Sequence, residues 1–130
     1  MTISFTVEGD PRPKGRPVTR FKDGQPVRTF TPRTTAEWES RVAWAARLAI
    51  AGQEPLEGDV AVELHFYRAT ARRCDFDNLA KAVLDAVQAS ENSPAGILFA
   101  DDDQVVEAHI YKAIDREAPR VEVRAWEVEQ

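Results

Sequence analysis

Arg72-Arg73-Cys74-Asp75-Phe76-Asp77-Asn78-Leu79-Ala80-Lys81-Ala82-Val83-Leu84-Asp85 is the stretch around which the chain is organised. Asp77, Lys81 and Asp85 recur at i, i+4 and i+8, so a helix carries them along one face. Leu79, Ala82, Val83, Ala86 and Val87 fall mostly on the opposite face, the pattern of an amphipathic helix lying on a core. Leu84 is the exception and sits near the polar stripe. Asp77 is placed as the N-cap, with Asn78 opening the first turn and Asp75 on the incoming segment. Carboxylates clustered at a helix start bind hard divalent cations when a further carboxylate comes from elsewhere. Asp101-Asp102-Asp103 supplies that further source.

Working outward, Val60, Val62, Leu64 and Phe66 alternate strictly with Ala61, Glu63, His65 and Tyr67, which predicts a strand running into the acidic motif. After the helix, residues 90–96 read as a loop, and Ile97-Leu98-Phe99 as an apolar, strand-like lead into the second acidic cluster. Two more strands follow, Val105 to Ala113 and Arg120 to Val128. Upstream, Ile3, Phe5 and Val7 alternate with polar residues in a half-buried strand. The segment from Gly9 to Pro17 is irregular, because three prolines and two glycines punctuate it. Val18–Phe21 and Val27–Phe30 flank an Asp23-Gly24 pair, a β-hairpin signal. Thr34-Thr35-Ala36-Glu37 reads as a capping box for a helix from Trp38 to about Ala51, with Trp38, Val42, Ala45, Ala46 and Ala49 as its buried stripe.

A length of 130 residues, 43% apolar and 30% charged, fits one soluble domain spanning 1–130. No apolar run approaches a membrane span and no signal-peptide core is present, so the cytoplasm is the expected compartment. The single cysteine, Cys74, forbids an internal disulfide and a cysteine-based zinc site. The net charge of −5 is unevenly spread: residues 1–50 carry nine Lys/Arg against five Asp/Glu, and residues 51–130 carry eight against seventeen. Arg12, Lys14, Arg16, Arg20, Lys22, Arg28 and Arg33 all lie in or beside the proline-rich loop and hairpin. Either this is a solvated basic surface, or it contacts a phosphate backbone.

An EF-hand fails, since counting from Asp75 its fifth and sixth positions would be Leu79 and Ala80. His65 and His109 lack zinc-like spacing. Cys74 beside acids is a poor nucleophile. Carboxylates next to a basic surface suit phosphodiester hydrolysis. Mg²⁺ takes oxygen ligands from a few carboxylates plus substrate phosphate, and a nearby lysine neutralises charge in the transition state.

These residues resemble the RusA family of Holliday junction resolvases, common in prophages. The shared features are an arginine-rich approach (Arg72-Arg73), Asp75-Phe76-Asp77-Asn78-Leu79-Ala80-Lys81, then Asp85-Ala86, then Asp101-Asp102-Asp103-Gln104-Val105 at a strand start. Pro13-Lys14-Gly15-Arg16-Pro17 is similar to a segment of one branch of the family. The resemblance implies an α+β fold, a mixed sheet packed by two main helices. It implies a homodimeric endonuclease that nicks four-way DNA junctions symmetrically with Mg²⁺ or Mn²⁺. Carried over, Asp75, Asp77 and Asp102 are the catalytic acids and metal ligands, and Lys81 is the catalytic lysine. Aligning Gln104-Val105 selects Asp102 from its cluster. Arg12, Lys14, Arg16, Arg20, Arg72 and Arg73 are the expected DNA contacts. Leu84 and the strand from Val105 to Tyr111 are the candidate dimer surfaces. A nuclease for flaps and forks, a non-catalytic DNA-binding module and a metabolic phosphohydrolase are the competing readings.

Overall fold

In the computed structural model, which describes residues 2–16, 18–30 and 32–129, the strand preceding the acidic motif is the centre of the sheet. Among the described residues six strands form: β1 (Thr2–Glu8), β2 (Val18–Lys22), β3 (Gln25–Phe30), β4 (Val60–Arg68), β5 (Val105–Ile114) and β6 (Arg120–Glu127). Two helices, α1 (Arg33–Ile50) and α2 (Phe76–Val87), complete the fold. The main sheet has the order β1-β6-β4-β5, with β4 antiparallel to β6 and parallel to β5. This is the expected α+β domain with a mixed sheet and two helices. Alternation explains which face is covered. Val60, Val62, Leu64 and Phe66 of β4, with Val121, Val123 and Ala125 of β6, are buried. The helices bring Trp38, Val42, Ala46 and Ile50 from α1 and Leu79, Ala82, Val83 and Val87 from α2 into the same core.

The parallel pairing of β4 and β5 matters most for the site. The chain leaves the C-terminal end of β4, returns along α2, and enters β5 at the sheet's opposite end. Asp75 therefore stands at one end of α2, and the 101–103 cluster at the other.

Several local expectations are corrected. The helix after Thr34-Thr35 starts earlier, at Arg33 with Pro32 in the N-cap position, and no side chain caps it. The Thr35 hydroxyl is used elsewhere: it donates to the Pro13 carbonyl (3.3 Å) and accepts from Gly15 N–H (3.1 Å). Glu37 pairs instead with Arg33 one turn back at 2.8 Å. Ile50 replaces Ala45 and Ala49 among the fully buried residues of this helix. Ile97-Leu98-Phe99 forms no strand. Their side chains plug the core, while Ile97 and Leu98 N–H both donate to the Val87 carbonyl and Leu98 O accepts from Leu56 N–H. Gly96, at φ +85°, makes this turn possible, because a Cβ there would lie 1.9 Å from Phe99 O. The β2–β3 hairpin turns at Asp23-Gly24 as expected, both at positive φ, and stands apart as an exposed two-stranded arm. Among the described residues, no helix is long and apolar enough to cross a membrane.

Candidate active site

α2 begins one residue before Asp77, so Asp75, not Asp77, occupies the N-cap position. Asp75 makes no side-chain cap bond. Asp77 lies in the first turn, where its Oδ1 accepts from Asn78 N–H at 2.9 Å. Asp75, Asp77 and Lys81 are all exposed. Asp75 opens into a recess of about 510 Å³ whose walls include Arg68, Arg72, Arg73 and Lys112. An adjoining recess of about 370 Å³ shares Arg68, Arg72 and Arg73 and adds Arg12. Four of these cations thus surround one carboxylate approach. Arg68 and Lys112 went unnoticed in sequence because each sits inside a strand pattern that reads as ordinary sheet. Lys112 Nζ donates to the Cys74 carbonyl at 2.7 Å, which fixes the backbone just before Asp75. Burial pushes the Cys74 thiol pKa up, against the nearby Arg68 and Lys112, so it is not an activated nucleophile.

The second cluster is a single 3₁₀ turn, Asp102–Gln104, rather than extended chain. The three acids consequently do different things. Asp101 is the cap: its carboxylate accepts from Asp103 N–H at 2.9 Å, while Gln104 Oε1 accepts from Asp101 N–H at 3.1 Å. Gln104 also donates to the carbonyls of Leu56 (3.2 Å) and Gly58 (3.0 Å), which pins the turn to the core. Gln104, used in sequence only to set alignment, is thus the clamp of the cluster. Asp102 is half-buried. Burial, with Asp101 and Asp85 close by, pushes its carboxyl pKa up, and Lys81 opposes the shift.

The structure groups Asp102 with Lys81 and Asp85. Lys81 Nζ lies 3.4 Å from Asp85 Oδ1. Lys81 lies one turn along α2 from Asp77, so this group stands on the helix face that also carries that acid. Among the described residues, no three Asp, Glu, His or Cys side chains converge closely enough to hold a metal. The donors nevertheless suit a hard cation. Asp75, Asp77 and Asp102 are carboxylates that share in none of the salt bridges of the described residues, whereas Asp85 is matched by Lys14 and Lys81. Mg²⁺ uses one or two carboxylates with waters and substrate phosphate, so it needs no preassembled triad.

The basic loop divides. Lys14 points inward: Nζ lies 2.6 Å from Glu39 and 3.1 Å from Asp85, and its N–H donates to the Asn78 carbonyl at 2.8 Å. Burial works against its charge, but the two carboxylates outweigh it and the pKa is raised. Gly15 follows because a Cβ would come within 2.9 Å of Pro32 Cγ. Arg12, Arg16 and Arg20 face solvent. Pro17 lies outside the described residues. His65 stacks on Tyr111 at 4.4 Å and bonds Glu63, while His109 bonds Glu107, so both are sheet-surface residues.

Uncompensated carboxylates beside an arginine-walled recess on an α+β body suit chemistry on phosphate esters. Residues 8–125 match the family model of Endodeoxyribonuclease RusA, and the chain belongs to that endodeoxyribonuclease family. No individual curated protein matches it.

Proposed function

We propose that this chain resolves four-way DNA junctions as a homodimer, cutting two opposed strands with the help of Mg²⁺ or Mn²⁺ in the cytoplasm. The observation that carries the reading is the recess in which Asp75 meets Arg68, Arg72, Arg73 and Lys112 beside the exposed α2 face, within a RusA family chain. Arg12, Arg72 and Arg73 hold the strand by its phosphates. Asp75, Asp77 and Asp102 would hold the ion, which when bound supplies Lewis acidity and an activated water. Lys81 presents its ammonium to the charge that builds on the phosphate being cut.

The hairpin supports a wider DNA surface. Arg20 and Arg28 stand directly opposite in the β2–β3 register. Like charges so placed oppose pairing, and a phosphate between them relieves the repulsion. For the dimer, Leu84 is drawn into the core's margin, whereas β5 is an edge strand with Val106, Tyr111 and Ile114 about half exposed. A two-fold axis through Ile110 would join two β5 edges as an antiparallel pair, a self-complementary arrangement.

The test is cleavage of synthetic four-way junctions, forks and flaps with and without Mg²⁺, alongside sedimentation at micromolar concentration. Paired, symmetric nicks in junctions by a dimer are expected. Equal cutting of flaps and forks would favour a general structure-selective nuclease, and a strict monomer that makes paired nicks would refute the dimer.

A further inference from the structure

A continuous hydrogen-bonded chain runs from α1 to the second acidic cluster, and its last member has no part in the roles assigned above. Gln88 follows the final residue of α2. Its Oε1 accepts from Asp102 N–H at 3.0 Å, and its Nε2 donates to Asp85 Oδ1 at 3.3 Å. The same Asp85 oxygen takes Lys81 Nζ at 3.4 Å. Asp85 Oδ2 takes Lys14 Nζ at 3.1 Å, and Lys14 also donates to Glu39 at 2.6 Å.

The chemistry of this link is specific. A side-chain amide accepts from a backbone N–H and donates to a carboxylate at the same time. A glutamate at position 88 would retain the acceptor and add a negative charge between Asp85 and Asp102. An aliphatic residue would leave the Asp102 N–H without its partner at a half-buried site. Lys14 and Lys81 together offset the Asp85 charge that would otherwise press on Asp102.

We propose that Gln88 is a positioning residue: anchored on Asp85, it fixes where the Asp102 carboxylate stands relative to Lys81. This rests on the nuclease reading and assigns Gln88 no contact with DNA. Outer partners that orient a reactive group matter nearly as much as the group itself, and their loss costs about 10- to 100-fold in activity.

Gln88→Met keeps the length of the side chain and removes both hydrogen bonds. With the full chain and a synthetic four-way junction, kcat for nicking should fall about 10- to 100-fold. KM and metal-free junction binding should stay unchanged, and amide exchange at Asp102 should accelerate. Gln88→Asn, one methylene shorter with the same chemistry, should repeat the result, and it carries the test should Gln88→Met not fold. Faster exchange at Asp102 with an unchanged kcat overturns the inference, as does a rise in KM that accounts for the whole loss. A wild-type chain inert toward every DNA substrate overturns the nuclease reading and this inference with it. An active wild type matched by Gln88→Met overturns this inference alone.

Discussion

The two ends of α2 treat charge in opposite ways. At the N-terminal end, Asp75 caps nothing and faces an open recess walled by arginines that approach without pairing with it. At the C-terminal end, Asp85 is matched on both oxygens, by Lys14 on one and by Lys81 and Gln88 on the other. An internally satisfied cluster holds shape, whereas an unsatisfied one is prepared for something that arrives. Asp102 belongs to both descriptions: its backbone is clamped, yet its carboxylate has no salt-bridge partner among the described residues.

The largest effect expected from this contrast is on catalysis. Asp75→Asn, Asp77→Asn and Asp102→Asn should each lower nicking by on the order of a hundredfold or more, while junction binding measured without metal survives. Near-normal cutting by Asp102→Asn would erase the distinction between its carboxylate and those of Asp101 and Asp103.

Next in size is Lys14→Met. The basic loop reads in sequence as one DNA-contacting unit, but Lys14 is only about one-fifth exposed, with Glu39 at 18% and Asp85 at 17%. Its loss strips a charged partner from both, at a cost of about 2 kcal/mol, seen as a lower midpoint in thermal or urea unfolding. Arg12→Ala with Arg16→Ala should leave that midpoint unchanged and instead reduce the salt slope of DNA binding by about 1 for each phosphate no longer neutralised. If Lys14→Met lowers the salt slope and spares stability, the inward and outward halves of the loop are not distinct.

The smallest effect concerns pH. The folded state raises the Asp102 pKa, through burial first and then Asp101 and Asp85. Asp102 therefore favours folding while protonated, and that contribution is lost as pH rises through its elevated pKa. Asp102→Asn should be slightly more stable than wild type at neutral pH, and the difference should vanish in acid. Unfolding midpoints across pH 3 to 7 check this, and a destabilised Asn variant at neutral pH would contradict it.

Much of this architecture is legible in sequence because it follows local rules. Period-2 burial gives β4, Asp23-Gly24 gives the hairpin, and the spacing of Asp77, Lys81 and Asp85 gives one helix face. What is not legible depends on partners far along the chain. Thr34 looks like a cap because a Thr-x-x-Glu spacing satisfies helix-end donors locally, but the helix already starts at Arg33, and the neighbouring Thr35 hydroxyl is held by Gly15 and Pro13. Ile97–Phe99 looks like a strand because three apolar residues carry no period; Val87 and Leu56 decide otherwise. The ion pairs of Lys14 span 25 residues to Glu39 and 71 positions, from 14 to 85, to Asp85, a distance no spacing rule covers. The length of α2, which sets how Asp75 and Asp77 stand relative to Asp102, likewise follows no spacing rule.

That length has an evolutionary corollary. Because β4 and β5 run parallel, α2 works as a ruler between the acid that follows one strand and the acid that precedes the other. Deleting one residue within α2 would rotate everything beyond it by about 100° and scramble the Asp77–Lys81–Asp85 stripe. The mostly exposed loop 90–95 is under no such constraint, since the chain on either side of it is clasped by Ala89 N–H to Ala100 O and by Val87 O to Ile97 and Leu98 N–H. Insertions and deletions among relatives should accumulate there, leaving the ruler itself fixed in length.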